Sequence, residues 1–308
     1  MGTFNTIDFV RDEIKTIPNI DKKPAGGIKS FGSRIGYAVS LAFKEKEIFL
    51  FALLQWVSIG IGYFLWIQML DWIPEHIWQS NGESEERSTA GLILLGWSVL
   101  CVGLVAFPLG IFTGCMGAAH FLRKQGKEST VATCLKLVLP QSWSLWSFHW
   151  IDGWVTVNQI LDRLPSKKGR KNPVLSEALY YAWKLGVAGV LPSILTGNNL
   201  IQSGKNSVVF VKDNFLAVAK LRAGYSALCW IVGVAAYAGA IFFFKALDHT
   251  PQGHEVYGDT YTFFFWAAIP ILVAVSFVVL FLRPIYVLAL CDLYSDHLTQ
   301  KSEEVGQP

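Results

Sequence analysis

Four long apolar stretches constrain this chain more than any other feature of its sequence. They cover approximately residues 48–70, 91–119, 223–247 and 262–290. Each can form a membrane-crossing α-helix, because about 20 apolar residues span a hydrocarbon core of about 30 Å. The 308 residues are 52% hydrophobic and only 16% charged, whereas about a quarter of residues are charged in soluble proteins. The sequence therefore predicts an all-α, polytopic helical membrane protein with four long transmembrane helices.

The positions of lysine and arginine predict the orientation of these helices. Basic residues precede the first stretch and follow the second, whereas the loop after the first stretch is acidic and the loop between the last two contains neither Lys nor Arg. Since cytoplasmic loops carry an excess of Lys and Arg, both termini are predicted to be cytoplasmic. Residues 1–30 are polar and contain no apolar signal segment. We therefore expect the first apolar stretch to direct insertion, into a bacterial inner membrane.

Two segments between the second and third stretches, 139–161 and 175–197, are less suited to crossing. The second has a short apolar core interrupted by Pro192. The first is polar and places four tryptophans on one side of a helix, at steps of three, four and four: Trp143, Trp146, Trp150 and Trp154. Tryptophan favours the headgroup region, so these residues are interpreted as interfacial anchors and both segments as interfacial or re-entrant helices. Six transmembrane helices are the alternative, which would place the basic loop 167–171 outside.

His149, Asp152 and Lys184 on these two segments form a candidate polar site. His149 and Asp152 stand three residues apart, so they share one face of a helix and can share a proton or a metal ion. A lysine beside a broken helix can face an anion. A simpler interpretation is a wet helix edge for His149 and Asp152, and for Lys184 a side chain that reaches the membrane surface. The sequence leaves both interpretations open.

Small residues in the second stretch predict a face on which helices pack closely. Gly114, Gly117 and Ala118 lie near its end, and small side chains let helices approach each other in lipid. The five cysteines show no CxxC spacing and are interpreted as small apolar packing residues.

No catalytic or cofactor site is predicted. The sequence contains no GxSxG, HExxH or phosphate-binding loop motif, so the chain is predicted not to be an enzyme. His76, His249 and His254 in the outer loops are weak candidates for metal ligands; solvated loop polarity is the simpler explanation, and no metal is predicted. A net charge of +3 is too small to indicate a nucleic-acid partner.

A short similarity between the two halves predicts a parallel internal repeat. "SLAFKEKEIFL" (40–50) precedes the first stretch and "SVVFVKDNFL" (207–216) precedes the third. Each half would contain an amphipathic lead-in and two transmembrane helices. The resulting division is a cytoplasmic segment 1–30, a first half 31–127, an interfacial or re-entrant middle region 128–198, a second half 199–298 and a cytoplasmic tail 299–308.

The lead-in "GYAVSLAFKEKEIFLFALL" and the later block "SGKNSVVFVKDNF" resemble an uncharacterised family of bacterial multi-pass inner membrane proteins. In that family a basic amphipathic helix runs into a charged pair and then into an apolar segment. The resemblance covers about two thirds of the chain. It implies an inner membrane location and no catalytic activity.

Two functions are compatible with these features. The first prediction is a non-catalytic accessory or scaffold component of a membrane assembly, whose partners are the lipid bilayer and other membrane subunits or a second copy of the chain. It rests on the scarcity of charge within the four long stretches. The alternative is a small-solute or ion transporter or channel whose polar site lies on the half-depth segments.

Overall fold

The computed structural model describes residues 31–72, 84–163, 173–246 and 269–305. Every element in these ranges is helical, in agreement with the predicted all-α class. The helices are α1 (Phe31–Lys44), α2 (Lys46–Trp72), α3 (Ser84–Lys124), α4 (Val131–Val138), α5 (Ser142–Arg163), α6 (Pro173–Gly186), α7 (Val190–Leu195), α8 (Leu200–Asp213), α9 (Phe215–Ala246), α10 (Ile269–Phe277) and α11 (Arg283–Val305). A short 3₁₀ turn joins α4 to α5, and a π-helical stretch joins α10 to α11.

Five stretches of the described residues are long and apolar enough to cross a membrane, as expected of a multi-pass membrane protein. They are Lys46–Gln68, Leu92–Lys124, Glu177–Leu195, Phe215–Phe243 and Ile269–Glu303. Four coincide with the predicted apolar stretches, and Glu177–Leu195 corresponds to the predicted half-depth segment 175–197. The N-terminal segment 1–30, residues 262–268 of the last stretch and the three weak metal candidates His76, His249 and His254 lie outside the described residues.

The third apolar helix begins earlier than predicted. α8 ends at Asp213, and the side-chain amide of Asn214 donates a hydrogen bond to the carbonyl of Phe210 at 3.3 Å. α9 then begins at Phe215, eight residues before the predicted start of the stretch. Arg222 consequently lies inside an apolar helix and not before it.

The two amphipathic lead-ins are α1 and α8. Both contain 14 residues, and a single residue separates each from the long helix that follows, Glu45 in one case and Asn214 in the other. The predicted alignment of Ser40 with Ser207 would pair Glu45 with Lys212, two residues before Asn214. The internal repeat therefore stays a prediction, as does the division into two halves. The predicted tail continues α11 as far as Val305.

α3 is the central helix. Its C-terminal half packs against α4, α7 and α11, and this end of the molecule holds the buried core: Ile111, Cys115, Met116, Ala118, Ala119, Cys134, Val138, Ile194, Leu288 and Cys291 are among its residues. The opposite end is more open. No residue in the most apolar window of the candidate span on α9 is buried, and Phe242 is 75% exposed. Such surfaces suit contact with lipid chains.

The chain reverses direction directly after α3. Gly126 adopts a φ of +72°, a conformation that glycine takes readily, and Lys127 N–H donates to the carbonyl of Leu122 at 2.9 Å. Thr130 then caps α4 by accepting a hydrogen bond from Thr133 N–H. As a result α4 begins beside the end of α3 and runs back along it.

α5 continues along α3 in the antiparallel direction. The two helices approach so closely that a Cβ atom on Gly110 would lie 3.0 Å from the backbone carbonyl of Leu145, and one on Gly153 would lie 3.3 Å from the Val102 side chain. Along this contact, successive residues of α5 lie beside residues of α3 with decreasing numbers. The predicted segment 139–161 thus lies lengthwise on the central helix.

Candidate functional site

An ion pair between α5 and α6 forms the centre of the candidate site. Lys184 Nζ lies 2.6 Å from both carboxylate oxygens of Asp152, and Trp183 Nε1 donates to Asp152 Oδ1 at 3.1 Å. The Lys184 side chain is 13% exposed and that of Asp152 is 26% exposed, so water reaches the pair only partly. Two of the three predicted polar residues are therefore in direct contact.

His149, the third predicted residue, lies one helical turn before Asp152 on α5. Its Nδ1 lies 3.0 Å from the carbonyl oxygen of Leu145. Because a carbonyl only accepts, Nδ1 carries the proton in this contact and Nε2 is left as the other ring nitrogen. His149 is also close enough to Asp152, Lys184 and Arg283 for their charges to act on it.

Two arginines that the sequence analysis did not select complete the site. Arg283 is the first residue of α11, and its Nη2 donates to Thr113 Oγ1 at a long distance of 3.5 Å. Arg222 lies on α9, close enough to the hydroxyl of Tyr286 for its charge to act on that group. The charge of Arg222 acts on Lys184, and that of Arg283 acts on Asp152. We call His149, Asp152, Lys184, Arg222 and Arg283 the charged cluster.

The charged cluster contains more positive charge than its partners neutralise. Apart from His149, the cluster combines three cationic side chains with one carboxylate, that of Asp152, which pairs with Lys184. Among the described residues neither Arg222 nor Arg283 forms an ion pair, and Arg222 Nε is buried without a hydrogen-bond partner. Buried polar atoms of this kind are rare in folded proteins. At this site the described residues leave one buried donor, Arg222 Nε, unused.

Residue spacing explains why these side chains converge. His149 and Asp152, Arg222 and Tyr225, and Arg283 and Tyr286 each stand three apart, so each pair occupies one face of its helix. The rings of Tyr225 and Tyr286 pack with centroids 4.4 Å apart, which joins α9 to α11. The π-helical stretch that precedes Arg283 adds a further irregularity here; such stretches occur frequently at functional sites.

Some tryptophans of α5 contact α3, whereas others are exposed on the surface of the protein. Trp146 Nε1 donates to the carbonyl of Gly103 at 2.8 Å, and Trp146 stacks on Trp150 with ring centroids 5.1 Å apart. Trp143 is 72% exposed, whereas Trp154 is half-buried. Only Trp143 is thus fully placed to meet lipid, and the role of all four as interfacial anchors stays a prediction.

The predicted helix-packing face is covered by the chain itself. A Cβ atom on Gly114 would lie 2.9 Å from Leu145, and one on Gly117 would lie 2.5 Å from Leu195. Ala118 is completely buried. These three residues pack α3 against α4, α5 and α7, so they are not on a surface that a second protein can contact.

A second polar network pins α1 to the end of the bundle. Arg34 Nη1 lies 2.8 Å from Asp292 and 3.0 Å from Asp296 of α11, and Lys124 also reaches Asp296. Burial and the neighbouring carboxylates of Asp292 and Asp296 raise the pKa of Tyr37 to about 12. Tyr37 therefore stays protonated, and its hydroxyl lies within hydrogen-bond distance of His120 Nδ1, at 3.2 Å. This network pairs its arginine with carboxylates, whereas Arg222 and Arg283 of the charged cluster form no ion pair among the described residues; Arg34 Nε, like Arg222 Nε, has no hydrogen-bond partner there.

A simple signal in the sequence marks the arginines that we missed. Arg222 and Arg283 interrupt apolar runs, whereas Lys and Arg usually collect at the ends of membrane helices. Both lie within candidate spans, at Phe215–Phe243 and Ile269–Glu303. These two positions weigh against the expectation that charge is scarce within the long helices. An ionisable residue inside a membrane helix indicates a functional site by default.

The described residues contain no group of three or more His, Cys, Asp or Glu side chains that could hold a metal ion. No protein-family model, no curated protein and no solved structure matches the chain. The resemblance to an uncharacterised family has no support from these comparisons.

Proposed function

We propose that this multi-pass membrane protein provides a pathway for a small anion through the charged cluster. The observation that carries the proposal is the excess of positive charge. Lys184, Arg222 and Arg283 lie close enough for their charges to interact, only Lys184 is paired with a carboxylate among the described residues, and Arg222 Nε is buried without a hydrogen-bond partner there. A charged side chain at the centre of a membrane costs about 2.5–3.5 kcal/mol on insertion scales. A bound anion would offset part of that cost for the two arginines.

We infer that the charged cluster lies deep in the membrane, because α4 and α5, taken one after the other, cross the membrane. Val138 at the end of α4 contacts Gly114, and Gly153 of α5 contacts Val102. These contacts are separated by about 18 Å along α3, more than half of a hydrocarbon core of about 30 Å. α5 then continues for about three more turns to Arg163. The packing favours six transmembrane helices over two half-depth segments.

The path of α6 and α7 supports the same count. Leu195 at the end of α7 lies against Gly117 near the end of α3. α8 follows, and Asn214 at its end lies 3.0 Å from His297 of α11, beside the α1 network. If α7 ends beside the C-terminus of α3, then α6 begins at the opposite end of the bundle. α5 must therefore cross the bundle to reach that opposite end. The loop that joins α5 to α6 would then be outside, against the usual distribution of basic residues.

The accessory-component function has less support. It relied on an uncharged interior and on a free glycine face, whereas Arg222 and Arg283 lie within apolar helices and Gly114 and Gly117 contact the chain's own side chains. A partner subunit remains an expectation from the sequence only. We also propose that the protein has no enzymatic activity and needs no cofactor.

Uptake by proteoliposomes tests the proposed function. Purified protein is reconstituted, and uptake of chloride, inorganic phosphate and sulfate is measured for each anion alone. We expect saturable uptake of at least one anion and none of sodium or potassium. R222Q and R283Q should each reduce uptake about tenfold or more, since losing one charged partner of a ligand typically costs at least 1.4 kcal/mol. K205Q is the control, because Lys205 is a cation exposed on α8. Uptake of no anion, or equal uptake by all variants, would contradict the proposal.

A further inference from the structure

The carboxylate of Asp152 occupies the place where an anion would contact Lys184. It accepts hydrogen bonds from two neighbouring residues of α6, the Lys184 ammonium at 2.6 Å and the Trp183 indole at 3.1 Å. Both oxygens lie at the same distance from Lys184 Nζ. A small oxyanion would need the same arrangement of donors. Asp152 is therefore an internal anion, tethered to α5.

The two arginines have no such internal partner. Within the described ranges Arg283 forms only the long hydrogen bond to Thr113, and the group near Arg222 is the neutral hydroxyl of Tyr286. Arg222 also repels Lys184, whereas Arg283 attracts Asp152. An anion beside the arginines would be attracted by Lys184 and repelled by Asp152. The affinity of the site for the anion therefore depends on whether Lys184 or Asp152 turns towards the anion.

We propose that Asp152 competes with the transported anion for Lys184 and thereby sets the affinity of the site. This inference rests on the proposed function. The anion first contacts Arg222 and Arg283, and Lys184 then exchanges the Asp152 carboxylate for it. When Asp152 recaptures Lys184, the anion loses a partner and leaves. A pathway needs such a limit, because an ion must bind well enough to enter and weakly enough to leave.

The half-saturation concentration for anion uptake tests the proposal, because the two partners of the pair should affect it in opposite directions. D152N leaves Lys184 free, so the half-saturation concentration should fall on the order of tenfold. K184Q leaves the Asp152 carboxylate unpaired beside the arginines, so the half-saturation concentration should rise by a similar factor. D213N is the matched control, since Asp213 is an exposed carboxylate on α8. If the pair only holds α5 to α6, D152N and K184Q will weaken uptake alike, which would overturn the proposal.

A double variant keeps the test decisive if D152N does not fold, because an unpaired buried lysine can destabilise the protein. In D152N/K184Q both charges are removed, and two amides can hydrogen-bond each other. Its half-saturation concentration should lie well below that of K184Q, because the repelling carboxylate is gone; equal values would overturn the proposal. Folding is checked by size-exclusion chromatography in detergent. Uptake by none of the proteins, wild type included, would instead contradict the proposed function itself.

Discussion

Arg34 and Arg283 are both enclosed by helices, but their charges are compensated differently. The Arg34 guanidinium is within 3.0 Å of two carboxylates, and its side chain is 6% exposed. Arg283 has the hydroxyl of Thr113 at 3.5 Å and no ion pair among the described residues. A closely paired charge is part of the fold, whereas an unpaired one is available to a ligand. From this contrast we expect Arg34 to stabilise the fold and Arg283 to bind a ligand.

Paired substitutions test that assignment. D292N removes the main partner of Arg34, and breaking a buried pair typically costs about 3–5 kcal/mol. We expect it to lower the unfolding temperature in detergent by several degrees. R283Q removes a charge that has no ion pair, so the unfolding temperature should stay the same or rise in a buffer that contains only a large organic anion. A similar fall for both variants would mean that Arg283 is structural.

The apolar content of the sequence predicted the long helices well. It predicted less well which neighbouring helices or lipids each helix contacts. Four stretches of about 20 apolar residues specify four helices because no other structure satisfies the backbone in lipid. The tryptophan stripe specifies one face of α5, yet the same pattern suits a membrane surface or a neighbouring helix, and here Trp146 contacts Gly103 of α3. His149, Asp152 and Lys184 could be selected from the sequence, because polar residues stand out on segments that are otherwise apolar.

Arg222 and Arg283 stand out in the sequence as charges that interrupt apolar runs, but their convergence could not be predicted, since it depends on where the helices begin and which helices meet. α9 starts at Phe215 because Asn214 ends α8, a detail that apolar content does not contain. The convergence of α9 and α11 on the Asp152 and Lys184 pair is a property of the tertiary packing. Sequence patterns of single helices do not specify it.

Close contact between α3 and α5 is tested by adding single methyl groups. G110A places a Cβ atom 3.0 Å from the Leu145 backbone and should destabilise the protein by about 1–3 kcal/mol, as overpacked sites do. G96A on the same helix meets no atom within 4 Å and should be neutral, or stabilising by up to about 1 kcal/mol. Thermal unfolding in detergent measures both. Equal effects would show that α5 does not pack here.

The tryptophans of α5 should differ in their contact with lipid. Trp143 is 72% exposed, whereas Trp150 stacks on Trp146 and lies against Gly103. In bilayers of brominated lipid, W143F should remove more of the quenchable fluorescence than W150F does. Equal losses, or a larger loss for W150F, would indicate that the stripe faces lipid as a whole.

The whole molecule combines a packed end with an open end. Buried residues concentrate around the C-terminal half of α3, where the Arg34 network fixes α1, and the charged cluster lies farther along the bundle. The outer surface of α9 is apolar and unburied, as lipid contact requires. Six helices in this arrangement would enclose a site that neither half of the chain forms alone, because α5 and α6 supply Asp152 and Lys184 while α9 and α11 supply the arginines.

Accessibility of single cysteines tests the six-helix count. In a cysteine-free protein, S166C lies in the basic sequence between α5 and α6, outside the described residues, and should react with an impermeant maleimide in intact cells. N81C, likewise outside the described residues, should react too. E128C lies beside the C-terminal end of α3, which the distribution of Lys and Arg predicts to be cytoplasmic, and should react only after permeabilisation. Protection of S166C in intact cells would restore two half-depth segments.

Stabilisation of the purified protein by anions tests the central claim most directly, because it measures binding without transport. Unfolding temperatures in detergent are recorded as chloride, phosphate or sulfate replaces a large organic anion at constant ionic strength. At a concentration about 100 times the dissociation constant, a ligand adds about 2.7 kcal/mol to the stability of the folded protein. We expect at least one of these anions to raise the unfolding temperature of the wild type and of K205Q in a saturable way, and to have no such effect on R222Q/R283Q. An increase of the same size in the double arginine variant, or no increase in the wild type, would contradict an anion site at the charged cluster.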